Sequence, residues 1–158
     1  NIVEKGYVQQ LDAYSVLIVA SMVEREAKVE ADRPLIARVI LNRVRRGMPL
    51  QIDATLYYDQ DPNLSFDQLK SIDTPYNTYL HAGLPPTPIA NPGRASIQAV
   101  LNPANNPPEG GVECVNLPRA DCQYLYYVLA DEDGRHAFAV TLAEHEANVQ
   151  KAREAGLL

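Results

Sequence analysis

At 158 residues, 46% of them hydrophobic and 22% charged, the chain can bury one sizeable core and has the balance of an ordinary globular domain. A net charge of −6 argues against nucleic acid or an anionic membrane surface as a primary partner. No window holds the ~18 uninterrupted apolar residues of a membrane span, and no basic-then-apolar signal segment or initiator Met is present at the opening "NIVEKGYVQQ".

The first periodic element is "SVLIVASMVEREAKVE", in which seven of the first nine residues are apolar. It predicts a helix from about Asp12 to Ala27 whose apolar positions nearly encircle it, so it should be buried on most sides. Acids crowd its end. Glu24 has Lys28 at i+4 in the favourable orientation, a surface pair worth a few tenths of a kcal/mol. Glu26 stacks instead above Val23, Met22 and Val19, with no cation at helical spacing and Glu30 at i+4. Two readings stay open for Glu26. Either it points to solvent where the helix leaves the core, or its apolar flank raises its pKa toward the range of a general acid.

A second helix is expected from Asp32, with Pro34 in its first turn and a stop at Gly47 and Pro49. "PLQIDATLYYD" alternates with a period of two and predicts a strand. Its polar face would carry Gln51, Asp53, Thr55 and Tyr57, as either a half-solvated surface or a binding face. "SFDQLKSI" should form a short helix with Ser65 and Gln68 in a capping box. From Asp73 to Gly93 the prolines Pro85, Pro86, Pro88 and Pro92 exclude a regular helix or central strand. So long a loop, holding Tyr76, Asn77, Tyr79 and Ile89, is expected to be ordered and to form part of a site.

"ASIQAVL" predicts another short helix, followed by an irregular loop with Cys114 and Cys122 eight positions apart. The two thiols could be free, or could close a loop at a gain of roughly 2–3 kcal/mol. "YLYYVLADEDGRHAFAVT" reads as a hairpin around Asp133-Gly134, and a last helix begins at Thr141, with Glu144 in a capping-box position, and runs to about Ala155. The fold class is α+β: one mixed domain over residues 1–158, with several helices packed on a small, mostly antiparallel sheet and a long Pro-rich site-forming loop. His81, His136 and His145 are isolated along the chain, no metal-ligand spacing is present, and neither a metal nor a cofactor is expected.

Read together, ordered blocks from about Ser15 to Val149 resemble the endolytic murein transglycosylase (MltG, YceG-like) family. They are "ASMVEREA", "ADRPLIARVILNRVRRGMPLQIDATLYY", "TPYNTYLHAGLPPTPIANPGRASIQAVLNPA", "YLYYV" and "HAFAVTLAEHEANV". The resemblance implies a lytic transglycosylase that cuts the β-1,4 bond after N-acetylmuramic acid in peptidoglycan without water, leaving a 1,6-anhydro end and terminating strand growth. It places the single catalytic glutamate on Glu26, and Gln51, Asp53, Thr55, Asn77 and Tyr79 along the glycan cleft. A hydrolytic muramidase using Asp53 as base, or a non-catalytic glycan-binding domain, are the alternatives. The implied setting is the outer face of the cytoplasmic membrane. Glycan strands and wall-synthesis polymerases would be the partners, and the membrane would be reached only through an N-terminal anchor lying, with a small preceding domain, outside this chain. An extracytoplasmic setting favours an oxidised Cys114–Cys122 pair. Two departures stand out: His145-Glu146 replaces the family's His-Asn, and "NNPPEGGVECVNLPRADCQ" is inserted before the "YLYYV" strand.

Overall fold

Burying the first helix on nearly every side requires the rest of the chain to wrap around it, and it does. The computed structural model describes residues 11–158. Helix α1 (Ala13–Glu26) starts on the Asp12 side chain, which accepts from the Ser15 N–H at 2.7 Å. Val16 and every residue from Ile18 to Val23 are buried. A short 3₁₀ turn (Glu30–Asp32) leads into α2 (Arg33–Arg46), which has Pro34 in its first turn and ends on Gly47 at φ +66°. Ile36, Ala37 and Ile40 of α2 close one side of the α1 core.

The expected strand over "PLQIDATLYYD" is absent. Residues Asp53–Leu56 form a single helical turn, α3, preceded by an isolated bridge between Pro49 and Ala82. The reason lies in which residues are buried: Ile52, Thr55 and Leu56, spaced i, i+3, i+4. That is helical spacing overlaid on an accidental alternation. The Thr55 hydroxyl donates to the Ile52 carbonyl at 2.7 Å, which closes the turn. The short helix α4 (Phe66–Ser71) carries both halves of the Ser65/Gln68 capping box.

The Pro-rich segment is ordered against α1 and α3. Leu84 and Ile89 pack on the core, the Ile89 N–H donates to Ser21 Oγ at 3.0 Å, and the Tyr76 and Thr87 hydroxyls meet at 2.8 Å. Helix α5 (Arg94–Leu101) packs against both α1 and α2. The sheet is a two-stranded antiparallel hairpin of β1 (Tyr126–Leu129) and β2 (His136–Ala139), with Tyr127 opposite Phe138. Helix α6 (Leu142–Glu154) covers the hairpin. Thr141 caps it, but Glu144 reaches past the cap to the Val140 N–H (3.1 Å).

Residues 105–123 form the expected irregular loop, with two 3₁₀ turns inside it. Cys114 and Cys122 are disulfide-bonded, their Cα atoms 5.5 Å apart. The loop is strapped to α2. Asn42 Nδ2 donates to Asn106 Oδ1 (2.8 Å) and to the Tyr124 carbonyl (2.9 Å), and Arg46 pairs with Asp121 (3.2 Å). Helices on a small antiparallel hairpin make the fold α+β, as expected. Among the described residues, no helix is long and apolar enough to cross a membrane.

The hairpin turn meets the segment that follows α1. Gly134 sits at φ +89°, and a Cβ added there would lie 2.7 Å from the Lys28 Cβ. Gly134→Ala should therefore lower unfolding stability by about 2 kcal/mol, from combined backbone strain and overlap. Urea denaturation measures this; a loss below about 0.5 kcal/mol, the range of an ordinary surface substitution, would contradict the packing described.

Candidate active site

The two acids at the end of α1 sit in opposite environments. Glu24 Oε2 accepts from the Ser96 hydroxyl (2.5 Å) and the Gly93 N–H (3.2 Å), and Arg33 lies 3.6 Å from its other oxygen. The pair with Lys28 expected from the sequence does not form, because the helix stops at Glu26 and Lys28 falls beyond it. Glu24 instead serves α5, whose N-cap Gly93 has no side chain to offer. These hydrogen bonds, Ser96 first, hold its carboxyl below the ordinary value.

Glu26 is governed by burial. Removal from water pushes its carboxyl above the ordinary value, and the Asp53 charge adds to the rise. The Tyr127 hydroxyl donates to Glu26 Oε2 at 2.9 Å and opposes it, as does His136. Glu26 is thus set up to hold a proton that its neighbour Glu24 would give up.

Tyr127 is positioned from behind. Its ring meets His136 edge-on at 5.5 Å, and the His136 ring Nδ1 and backbone N–H both lie within 2.9 Å of Asp32 Oδ2. Burial, with the neighbouring Glu26 charge, pushes the Tyr127 hydroxyl well above the usual phenol range, so it remains a donor.

Glu26 and Tyr127 line a cleft of about 260 Å³ together with Arg43, Leu50, Gln51, Asp53, Tyr79, Val128, His145 and Val149. Tyr79 arrives from the Pro-rich loop, and its hydroxyl donates to the Asp53 carboxylate. Burial and that bond raise the Tyr79 phenol. Gln51 adopts φ +55°, a strained backbone for a residue with a side chain. Arg43 spans the floor: Nε donates to the Leu125 carbonyl (2.7 Å), Nη1 donates to those of Pro49 (2.9 Å) and Leu50 (3.2 Å), and its guanidinium lies over the Tyr126 ring.

Glu26, Gln51, Asp53 and Tyr79 therefore come together. Thr55 and Asn77 do not reach the cleft. With the strand replaced by a helical turn, Thr55 is fully buried and shares a 2.9 Å hydrogen bond with Thr78. Asn77 is 1% exposed; its amide donates to the Lys70 and Ile72 carbonyls, and its oxygen accepts from the Tyr79 and Leu80 N–H groups. Both hold the loop that presents Tyr79. Conversely, sequence reasoning missed Arg43, Tyr127 and His145. Arg43 continues the buried Ile36, Val39, Ile40 stripe at i+7, i+4 and i+3, and His145 precedes Val149 and Ala152 at i+4 and i+7, signals that could have found them. Nothing local marks Tyr127, which meets Glu26 across 101 positions. A larger hollow of about 490 Å³ beside the 105–123 loop has only exposed charged groups, Glu109 and Arg119, in its lining. Among the described residues, no three His, Cys, Asp or Glu side chains are grouped to hold a metal ion.

The YceG-like family model matches residues 3–151. The chain belongs to the YceG-like family. It is 37% identical over 145 residues to an endolytic murein transglycosylase of Bacillus subtilis, covering 90% of this chain and 35% of that protein. An endolytic murein transglycosylase of Streptococcus pneumoniae is 31% identical over 148 residues, covering 89% and 24%. A crystal structure of a yceG-like protein from Listeria monocytogenes superposes with a TM-score of 0.72 at 32% identity, over 91% of this chain and 42% of that one. The chain thus spans about a third or less of the length of the relatives it matches. The motif blocks quoted above pointed to this YceG-like family, and the match covers all of them.

The raised Glu26 carboxyl has a consequence for stability. A group whose folded pKa is raised contributes stability that is full below its unfolded value, here near 4.5, and lost as pH climbs through the folded value. Glu26→Gln, neutral throughout, should unfold at higher urea than the wild type at pH 8. The gain is about 1.4 kcal/mol for every pH unit by which the Glu26 midpoint is raised, and it closes below pH 4. A destabilised Gln variant at pH 8 would contradict the buried, proton-holding carboxyl.

Proposed function

We propose that the chain carries the catalytic site of a peptidoglycan lytic transglycosylase, with Glu26 as the one acid–base group. The observation that carries this reading is the Glu26 carboxyl: bonded to the Tyr127 hydroxyl, its proton affinity raised by burial, and lining a cleft of about 260 Å³ with Gln51, Asp53 and Tyr79. The relatives' names supply the substrate, murein.

The chemistry needs one carboxyl used twice. Glu26, protonated, donates to the oxygen leaving C1 of N-acetylmuramic acid as the C1–O bond breaks and positive charge spreads over C1 and the ring oxygen. The resulting carboxylate then takes the proton from the C6 hydroxyl as that oxygen bonds to C1. Water is neither consumed nor released, Glu26 ends protonated, and the product carries a 1,6-anhydro ring. A hydrolase needs a second carboxylate as nucleophile or base, whereas here the sugar supplies the nucleophile. Tyr127 donates to Glu26 in its charged form and eases the proton's departure. Gln51, Asp53 and Tyr79 are placed to meet sugar hydroxyls and acetamido groups.

Asp53 favours a second reading. It lines the same cleft and its charge acts on Glu26, so it could serve as the base that activates water in a hydrolytic muramidase. Against this, its carboxylate already accepts from Tyr79.

In the whole protein, we place the domain on the outer face of the cytoplasmic membrane, tethered by an N-terminal span and working on nascent strands beside wall-synthesis polymerases. The disulfide suits that oxidising side, and the unmatched length of the relatives leaves room for a tether.

Mass spectrometry of digested glycan strands tests the chemistry. Anhydro-muramic ends are expected from the wild type, and Glu26→Gln should lower turnover by on the order of 10² to 10⁴. Reducing muramic ends would replace the first reading by the hydrolase, and full turnover in Glu26→Gln would overturn both.

A further inference from the structure

His145 lies in the first turn of α6 and lines the cleft with Glu26 and Asp53. Its ring stacks on Tyr126 at 5.1 Å between centroids, at 20° to it, and the Arg43 guanidinium lies over that same Tyr126 ring, 5.2 Å from its centroid. Ring nitrogen Nδ1 is buried and has no hydrogen-bond partner. The other nitrogen, Nε2, is not buried in this way and belongs to a side chain lining the cleft.

Those facts assign a tautomer. A neutral imidazole has one N–H and one bare nitrogen. Buried N–H groups without an acceptor are rarer in folded proteins than buried acceptors without a donor, so the bare nitrogen belongs at Nδ1 and the proton at Nε2. We infer that His145 is a substrate-contacting residue, a neutral Nε2–H donor aimed into the cleft at an acceptor oxygen of the bound glycan, a sugar hydroxyl or acetamido carbonyl.

The charged groups around the ring support a neutral state. Burial and the Arg43 guanidinium from α2 hold the imidazole below the ordinary histidine value, with Glu146 on α6 pulling weakly the other way. The N-terminal turns of α6 disfavour a cation as well. A neutral donor suits an uncharged sugar beside Glu26, because an imidazolium would favour the carboxylate and work against a proton-holding Glu26. The departure at Glu146 leaves this role untouched, since Glu146 is exposed and absent from the cleft wall.

The inference rests on the glycan-cleaving reading, so its test has an arm independent of turnover. Nitrogen-15 NMR of wild-type imidazoles should show His145 as the Nε2–H tautomer, uncharged at pH 7; an Nδ1–H tautomer or an imidazolium would overturn the assignment. Adding uncrosslinked glycan strands to Glu26→Gln should shift the Nε2 resonance, and no shift at saturation would overturn the contact even if the wild type proves to be a hydrolase or inactive. In turnover, His145→Phe keeps the stack on Tyr126 and loses the donor, so KM should rise about tenfold with a smaller change in kcat. His145→Gln should recover most of that rise. An unchanged KM in His145→Phe would overturn the inference, while anhydro ends formed at an unchanged KM would leave the Glu26 mechanism standing.

Discussion

The burial of Val16 and of Ile18 to Val23 in α1 is the constraint on which the rest depends. A helix with Val16, Ile18, Val19, Met22 and Val23 all out of water has little wet face of its own, so α2, α3, α5 and the Pro-rich loop must each cover a strip of it. Where that cover ends, at Glu24 and Glu26, the helix delivers carboxyl groups to whatever surrounds its last turn. Two positions of separation turn them about 200° apart on a helix. One reaches α5 and a set of donors, the other the hairpin and a single phenol. Identical side chains thereby acquire opposite proton affinities, the arrangement by which acid–base sites divide roles between carboxyls.

The supporting layer behind the cleft is built from long-range polar contacts. Arg43, buried with three backbone carbonyls for partners, ties α2 to the segments on both sides of the cleft. Asn42, one residue earlier, binds the segment leading into β1 at Tyr124 and the base of the disulfide loop at Asn106. Asp32 holds His136, which backs Tyr127. Thr55 and Thr78 join α3 to the Pro-rich loop, and Asn77 ties that loop to the end of α4, so that Gln51, Asp53 and Tyr79 line the same cleft. A charged or amide group left unpaired at these depths would be costly, which gives the site a defined shape before any sugar enters.

The disulfide loop adds to this layer without entering the cleft. Cys114 and Cys122 pack with Val140, at the junction of β2 and α6. Residues on either side of the loop's exit, Cys122 and Tyr124, lie within a few positions of Tyr127. The loop is tied to α2 through Asn106, Tyr124 and Asp121, close in sequence to the strand that carries the Glu26 partner.

Local pattern was enough for α1, α2, α4, α5, α6, the hairpin turn and the caps at Ser65, Gly47 and Thr141, because each rests on interactions among residues within about four positions. It misled at residues 50–58, where a two-residue alternation and an i, i+3, i+4 set coincide and only packing on α1 selects the helical turn. It also gave Glu24 a partner, Lys28, that the helix end removes. Motif likeness singled out Glu26 and set it among cleft residues, but it could not separate Asp53 and Tyr79, which face the cleft, from Thr55 and Asn77, which support it. The sequence by itself determined α1, α2, α4, α5 and α6, the apolar face of α1 and α2, and the absence of a cation at helical spacing from Glu26. Only the tertiary structure decided what that acid meets, since burial, Tyr127 and Asp53 come from elements remote along the chain, and a proton affinity is set by the groups that surround a carboxyl in space.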